Sequence, residues 1–246
     1  MAVESEGTFL SKLNYVVYTH TDCLDVWDVF FGQTKKFVPD EIKKTVFVNK
    51  KHDNLPDDYD VVLYDDKLTY TERVSMCISE IKEEYTLYHH EDMFLYSQPD
   101  WTKISSYIDY MVEENYDSVR LIKSGEMGGY SATDDLMQIP MYSHCNFVLQ
   151  PTVIKTNRMV ELFEKSKKTN IWDFEVDVQR VCKEVRLNSL YADTSDVKIG
   201  GHFESEVYPY VATGVVKGKW NVSEYPTVLD KIFTDYNIDP SIRGVR

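Results

Sequence analysis

The stretch Tyr85-Thr86-Leu87-Tyr88-His89-His90-Glu91-Asp92 decides how this chain is read. Its first four residues favour extended backbone, which predicts a buried strand, and it ends in two imidazoles and two carboxylates. Side chains alternate along a strand, so His90 and Asp92 point one way and His89 and Glu91 the other. Open α/β sheets bind ligands outside the carboxyl ends of their strands. Two acids and two imidazoles at such an end suit a divalent cation, Mn2+ or Mg2+, bridging to a phosphate. Such ions need only one or two carboxylates when phosphates supply the remaining oxygens. A polar strand end facing water is the equal alternative.

Working outward, Tyr15–Tyr18, Thr45–Val48 and Val61–Tyr64 read as further strands. Asp22–Phe31 reads as a helix capped by Asp22, and Tyr70–Ile81 as another, with Val74, Cys77, Ile78 and Ile81 at helical spacing. Downstream, Asp100 is a natural N-cap for a helix whose stripe is Trp101, Ile104, Ile108, Met111 and Val112, and Ser118–Ile122 is the next strand. Strand followed by helix, repeated, predicts an α/β fold with a mainly parallel central sheet and helices on both faces. Glu126–Tyr142, with Gly125, Gly128 and Gly129, reads as a long flap over a ligand. Phe147–Leu149 resumes as a strand, and Asn157 caps a short helix. A second helix starts near Trp172, with Phe174, Val178, Val181 and Val185 inward, and Tyr208–Val216 is β-like.

The 246 residues carry 27 Lys plus Arg against 41 Asp plus Glu, a net charge of −14. That balance supplies no general footprint for a nucleic-acid backbone. No apolar run approaches the ~20 residues of a membrane span, and the N-terminus lacks the pattern of a signal peptide. A soluble cytoplasmic protein is the expectation. Cys23, Cys77, Cys145 and Cys182 fall in no CxxC spacing and are expected as reduced thiols.

Other strand ends hold further candidates. In Tyr64-Asp65-Asp66-Lys67 an acid, taken as Asp65, holds a base or ribose hydroxyl, or else forms a solvated turn. Thr19, His20 and Asp22 end the first strand before a helix start, where a phosphate is met or the helix is merely capped. Arg73 and Lys67 are cations for a diphosphate, or plain surface charge. Asp173 and Glu175 both read as first-turn acids, the bland role being capping and the functional one a general base. His202 follows Gly200-Gly201 and is a ligand or a hydrogen-bonded structural residue.

Tyr85 to Leu95, followed by Asp100-Trp101 and Val119-Arg120-Leu121-Ile122, resembles small GT-A glycosyltransferases of the kind found in bacterial surface-polysaccharide loci and in large DNA viruses, algal viruses included. Phe147-Val148-Leu149-Gln150-Pro151 and Ile171-Trp172-Asp173-Phe174-Glu175 look like that family's Leu-Gln-Pro and Trp-x-Phe-Glu blocks. The likeness runs from about Tyr15 to Trp220. It implies a single GT-A, Rossmann-like domain over 1–246, either whole or one domain of a longer protein. About 1–124 would bind the nucleotide sugar, and about 125–246 would form the acceptor half and C-terminal tail.

The resemblance implies an enzyme that moves a hexosyl or pentosyl group from a nucleotide-diphosphate sugar, a UDP-sugar by the family's habit, to a hydroxyl of a glycan or glycoprotein acceptor. Its location would be cytoplasmic, in the host cytoplasm if the chain is viral. Where the family commonly has Asp-x-Asp, this chain has His90-Glu91-Asp92, so the first acid is missing. Asp92 is then the metal ligand and His202 the C-terminal one. Thr19, His20, Asp22, Asp65, Arg73, His90 and Glu91 would surround the nucleotide. Glu175 would be the base of an inverting reaction, with Asp173 as the helix cap. Two rivals stand beside this. A sugar-phosphate nucleotidyltransferase usually shows a Gly-rich basic loop after its first strand, and Thr19–Asp22 has none. A non-catalytic carbohydrate-binding module is suggested by 18 Tyr and four Trp, although most fall at core spacing.

Overall fold

The computed structural model describes residues 7–123 and 129–246. Nine strands among them form one sheet: β1 (Leu13–Tyr18), β2 (Lys43–Val48), β3 (Asp60–Leu63), β4 (Tyr85–His90), β5 (Ser118–Arg120), β6 (Tyr130–Ser131), β7 (Leu136–Gln138), β8 (Thr152–Lys155) and β9 (Ser189–Ala192). The helices are α1 (Gly7–Leu10), α2 (Leu24–Phe37), α3 (Tyr70–Ile78), α4 (Trp101–Glu113), α5 (Thr156–Ser166), α6 (Ile171–Glu184), α7 (Pro226–Asp235) and α8 (Pro240–Arg243). Two small hairpins complete it, β10 (Lys198–Ile199) with β11 (His202–Phe203), and β12 (Val215–Val216) with β13 (Lys219–Trp220).

The sheet order is β3-β2-β1-β4-β8-β5-β9-β7-β6. The first four strands are parallel, in a register that opposes Tyr18 to both Phe47 and His90 and Val48 to Leu63. They therefore finish along a common edge. β8 runs against both β4 and β5, which returns β5 to the direction of β4, and β9 follows β5 in parallel.

Alternation along the buried strands feeds two cores. On one face Tyr15, Val17 and Leu87 pack with Trp27 and Phe30 of α2, Ile104 and Ile108 of α4, and Leu229 of α7. On the other, Val16, Phe47 and Tyr88 pack with Val74 of α3, Met159 and Phe163 of α5, and Phe174 and Val178 of α6. The expected α/β architecture, helices on both faces included, is what the chain adopts. Asp100 caps α4 as expected, accepting from the Lys103 N–H at 2.9 Å.

Several boundaries differ. The cap before α2 is not Asp22: the His20 ring takes the Asp22 N–H at 3.0 Å, a single 3-10 turn covers Thr21–Cys23, and α2 starts at Leu24. α2 runs past Phe31 to Phe37 and stops where Pro39 forces Val38 into extended backbone. Phe147–Leu149 is not a strand. The Asn146 and Phe147 N–H groups bond to the Gln179 side chain and that of Leu149 to Glu175, so α6 captures the backbone that a neighbouring strand would need. β8 forms three residues later. Helix α5 is flanked by Lys155 rather than Asn157, and its Thr156 N–H is met by the Glu84 carbonyl.

In α6 the cap is Asn170, whose side chain accepts from the Asp173 N–H at 3.0 Å, so Asp173 is not the cap. Glu175 accordingly stands in the second turn. Tyr208–Val216 contributes only an isolated bridge, Leu95 to Tyr210, and the two residues of β12. Of the expected flap, Gly125, Glu126 and Gly128 lie outside the described residues. Residues 130–138 form the β6–β7 hairpin on the sheet edge. It is held by Asp135, which accepts from Tyr107 at 2.8 Å and pairs with Lys103 at 2.5 Å. All four cysteines are free, and no described helix is long and apolar enough to cross a membrane.

Candidate functional site

At the ends of β1, β2 and β3 the chain leaves the sheet in polar residues that hold one another. The buried Thr19 hydroxyl accepts from Trp27 Nε1 at 2.7 Å, and the Thr19 carbonyl accepts from the Tyr64 hydroxyl at 2.7 Å. Asn49 accepts from the Thr21 N–H at 3.0 Å and donates to Asp66 at 3.2 Å. His20 Nε2 lies 3.3 Å from the Asp66 carboxylate, and Arg73 pairs with the same carboxylate at 3.7 Å. Burial alone would push Asp66 up, but the bonds from Asn49 and His20 and the Arg73 charge hold it below the usual carboxylate range. Arg73 also donates to the carbonyls of Leu68 and Asp66 and lies over the Tyr64 ring, which stacks on Tyr18 with centroids 5.1 Å apart.

Beyond β4 the two carboxylates sit side by side, both partly buried. Burial raises Glu91, opposed by hydrogen bonds from Cys23 and Thr19 and by the charge of Arg243. Burial and the Glu91 charge push Asp92 from 3.8 up to about 7. Asp92 is fixed at both ends of its residue: its side chain accepts from the Val215 N–H at 3.3 Å, and its carbonyl accepts from the Gly214 N–H at 2.9 Å. The contact demands glycine, since a Cβ at Gly214 would stand 2.9 Å from that carbonyl oxygen and 2.7 Å from the Phe94 ring. Arg243, from α8, is held by Asp25 through two hydrogen bonds.

On the face opposite His89, His90 Nε2 lies 3.1 Å from the Tyr70 hydroxyl and 3.4 Å from that of Tyr88. Burial lowers His90 to about 4, so it is a neutral imidazole at pH 7. Glu175 and Glu91 both act electrostatically on Tyr70. Tyr70 stands between the β4 end and α6, its ring meeting that of Phe174, the residue before Glu175, with centroids 6.0 Å apart. Trp172, one turn earlier, is 75% exposed. His89 faces the core instead, bonded to the Tyr208 hydroxyl at 2.7 Å and stacked on Tyr15.

The fold therefore brings Thr19, His20, Arg73, His90, Glu91 and Asp92 to one edge, with Glu175 linked to it through Tyr70. Asp22 sits beside His20, but its side chain is 88% exposed. Asp65 only closes its own turn, accepting from the Lys67 N–H at 2.9 Å; Asp66 is the acid turned towards Asn49, His20 and Arg73. His202 lies on β11 next to Glu224, whose charge opposes the lowering of His202 by burial. Its Nδ1 has no hydrogen-bond partner, and no contact joins it to Asp92 among the described residues. Gly200 before it has φ +59, and a Cβ there would meet the Glu224 carboxylate at 2.3 Å.

Among the described residues no three His, Cys, Asp or Glu side chains converge as a ready metal cluster. An ion at this edge would take one carboxylate from Asp92 and the rest of its oxygens from a bound ligand. Asn49, Tyr70 and Arg243 belong to this edge and were not among the sequence candidates, and of the two acids in the Tyr64–Lys67 turn it is Asp66, not Asp65, that reaches it. Two clefts of about 560 and 990 Å3 lie at the opposite end of the strands, one lined by Glu83, Glu84 and Thr156, the other by Lys43, Lys44 and Tyr236.

No family model matches this chain, and no curated protein matches it. Solved structures do resemble it. It aligns with a crystal structure of S. aureus TarS at a TM-score of 0.51 and 11% identity, over 94% of this chain and 41% of that one. With a crystal structure of S. aureus TarS 1-349 in complex with UDP the TM-score is 0.50 at 11% identity, over 94% of this chain and 68% of that one. The chain thus spans less than half the length of the longer TarS structure. The likeness is one of fold, and the fold is of the GT-A type.

Proposed function

We propose that this chain is a glycosyltransferase that moves a sugar from a nucleotide-diphosphate sugar, a UDP-sugar, to a hydroxyl of a glycan acceptor, with metal assistance and inversion at the anomeric carbon. The observation that carries this reading is the common edge of four parallel strands. It gathers Asn49, Asp66 and Arg73 at one end, the Glu91–Asp92 pair in the middle, and Glu175 across Tyr70 on the far side. In support, a TarS structure of the same fold holds UDP.

In this reading Asn49, Asp66 and His20 bind the nucleoside, while Arg73 and Arg243 lie towards the diphosphate. Asp92 would hold Mn2+ or Mg2+, with His202, whose Nδ1 is free, as the candidate second protein ligand. When bound, the ion would offset charge on the departing diphosphate. Glu175 takes the acceptor proton as the acceptor oxygen bonds to the anomeric carbon and the bond from that carbon to the phosphate oxygen breaks. Trp172 beside it offers an exposed indole on which an acceptor sugar ring can stack.

Incubation with labelled UDP-sugars and Mn2+ tests this. Release of UDP with a product of inverted configuration is expected, and Glu175→Gln should lower turnover by ~10²–10⁴-fold at nearly unchanged donor affinity. Consumption of nucleoside triphosphate would put a nucleotidyltransferase in its place. Sugar binding without any use of nucleotide would put a binding module there.

A further inference from the structure

Arg120 is a buried cation to which the catalytic reading gives no task. It ends β5, and because β4 and β5 both run against β8, they finish on the same edge, two strand spacings or roughly 10 Å apart. The residue is 2% exposed. Its Nε donates to the Ile122 carbonyl at 3.3 Å and its Nη1 to the Cys145 carbonyl at 3.0 Å. Its Nη2 is buried, and among the described residues it has no hydrogen-bond partner and no carboxylate forms an ion pair with it. Burial lowers its pKa only to about 10, so it is charged at pH 7. A buried charge without a counter-charge is costly, and the fold would shed that cost by an Arg→Met change unless something else uses the charge.

The unmet capacity is not confined to one atom. The Tyr210 hydroxyl is also buried and, among the described residues, without a partner, and both Arg120 and Asp92 act on it electrostatically. The backbone bridge between Tyr210 and Leu95 fixes it beside the segment that follows β4. Both polar side-chain atoms of Asn146, next to the Cys145 that receives Nη1, lack partners as well. Sheet order gives these groups a place along an extended ligand. A donor with its nucleoside at β3-β2-β1 and its diphosphate at β4 has its remaining portion directed towards β8 and β5, where Arg120 stands.

We propose that Arg120 and Tyr210 form an oxyanion subsite for the donor, in which Nη2 takes an anionic oxygen. That oxygen belongs either to the diphosphate or to a carboxylate on the transferred sugar. The inference rests on the nucleotide-sugar reading above and adds a recognition element to it. Charge-assisted bonds from Arg to such oxygens are roughly twice as strong as neutral ones, and lysine replaces the charge but not the planar fork.

Calorimetric titration of the protein and of Arg120→Gln and Arg120→Lys with UDP, UDP-glucose and UDP-glucuronate tests it. Arg120→Gln should weaken binding at least 10-fold, with part of the loss restored in Arg120→Lys. Equal loss for all three ligands assigns the oxygen to the diphosphate, and loss confined to UDP-glucuronate assigns it to a sugar carboxylate. Tyr210→Phe, which removes one hydroxyl, should weaken the same ligands several-fold and serves as the test should Arg120→Gln fail to fold. Folded variants that bind all three ligands within 2-fold of the parent overturn the subsite while leaving the glycosyltransferase reading intact. A parent protein that binds none of the three overturns both.

Discussion

Asp92→Asn should stabilise the protein and, on the proposed reading, abolish the Mn2+-dependent part of UDP binding. Asp92 is raised from 3.8 to about 7 by burial and by the adjacent Glu91, so it ionises less readily in the native state than in the unfolded chain. At about 1.4 kcal/mol for each tenfold change in proton affinity, that displacement makes ionisation roughly 4 kcal/mol less favourable in the fold. Relaxation and water around a partly buried pair reduce the measurable part to about 1–3 kcal/mol. The sign follows from proton binding. Between pH 4 and 7 the native state holds a proton that the unfolded chain has released, so this group's contribution is fully present below pH 4 and is lost as pH rises through 7. Asparagine is neutral at every pH and its Oδ1 still accepts from the Val215 N–H. Urea denaturation at pH 4.5 and pH 8 should therefore show the variant close to the parent at the lower pH and more stable at the higher. A variant that is equally or less stable than the parent at pH 8 would refute the claim that burial and Glu91 strain this carboxylate.

Arg243→Ala should raise the Kd for UDP about 10-fold in the presence of Mn2+, measured by calorimetry, because Arg243 acts on Glu91 and Asp92 from the C-terminal segment. Asn170→Ala should cost about 1 kcal/mol in urea denaturation as a lost helix cap, whereas Asp173→Asn should fall within about 0.5 kcal/mol of the parent.

What the sequence made legible was what local pattern controls. β1, β2, β3 and β4 each announce themselves by runs of β-formers, and α4 by its stripe and Asp100. The strands β6, β7 and β9 are two to four residues long, too short for a period to register, and exist because neighbours already in the sheet offer free backbone. At Asn170 and Asp173 two short polar side chains compete for one cap, and the position where the chain turns out of the helix chose between them. At Asp65 and Asp66 the turn consumed the first acid and left the second for the site. Arg243 approaches Glu91 across some 150 residues of chain, and no local signal announces such a contact. The same holds for Tyr70, which relates Glu91 on one element to Glu175 on another.

The net charge of −14 sharpens what this edge must do if it binds a nucleotide diphosphate. A diphosphate approaching Glu91 and Asp92 meets like charge. Two arginines at that edge are already engaged: Arg73 with Asp66 and two carbonyls, and Arg243 with Asp25. Neither is a free counter-charge, so each can only tilt the local potential. On the proposed reading the missing positive charge comes with the ligand as a divalent ion, and the raised Asp92 is the natural place for it. Asp92 would give up its proton to such an ion, which would relieve the strain that burial creates and offset the negative field at this edge. On that reading metal and donor would bind cooperatively through charge, each making the other's site less unfavourable. Arg120 differs from Arg73 and Arg243 in having no carboxylate of its own among the described residues, and on the proposed reading an uncommitted cation at the end of β5 would complement an anion that the committed ones can only guide.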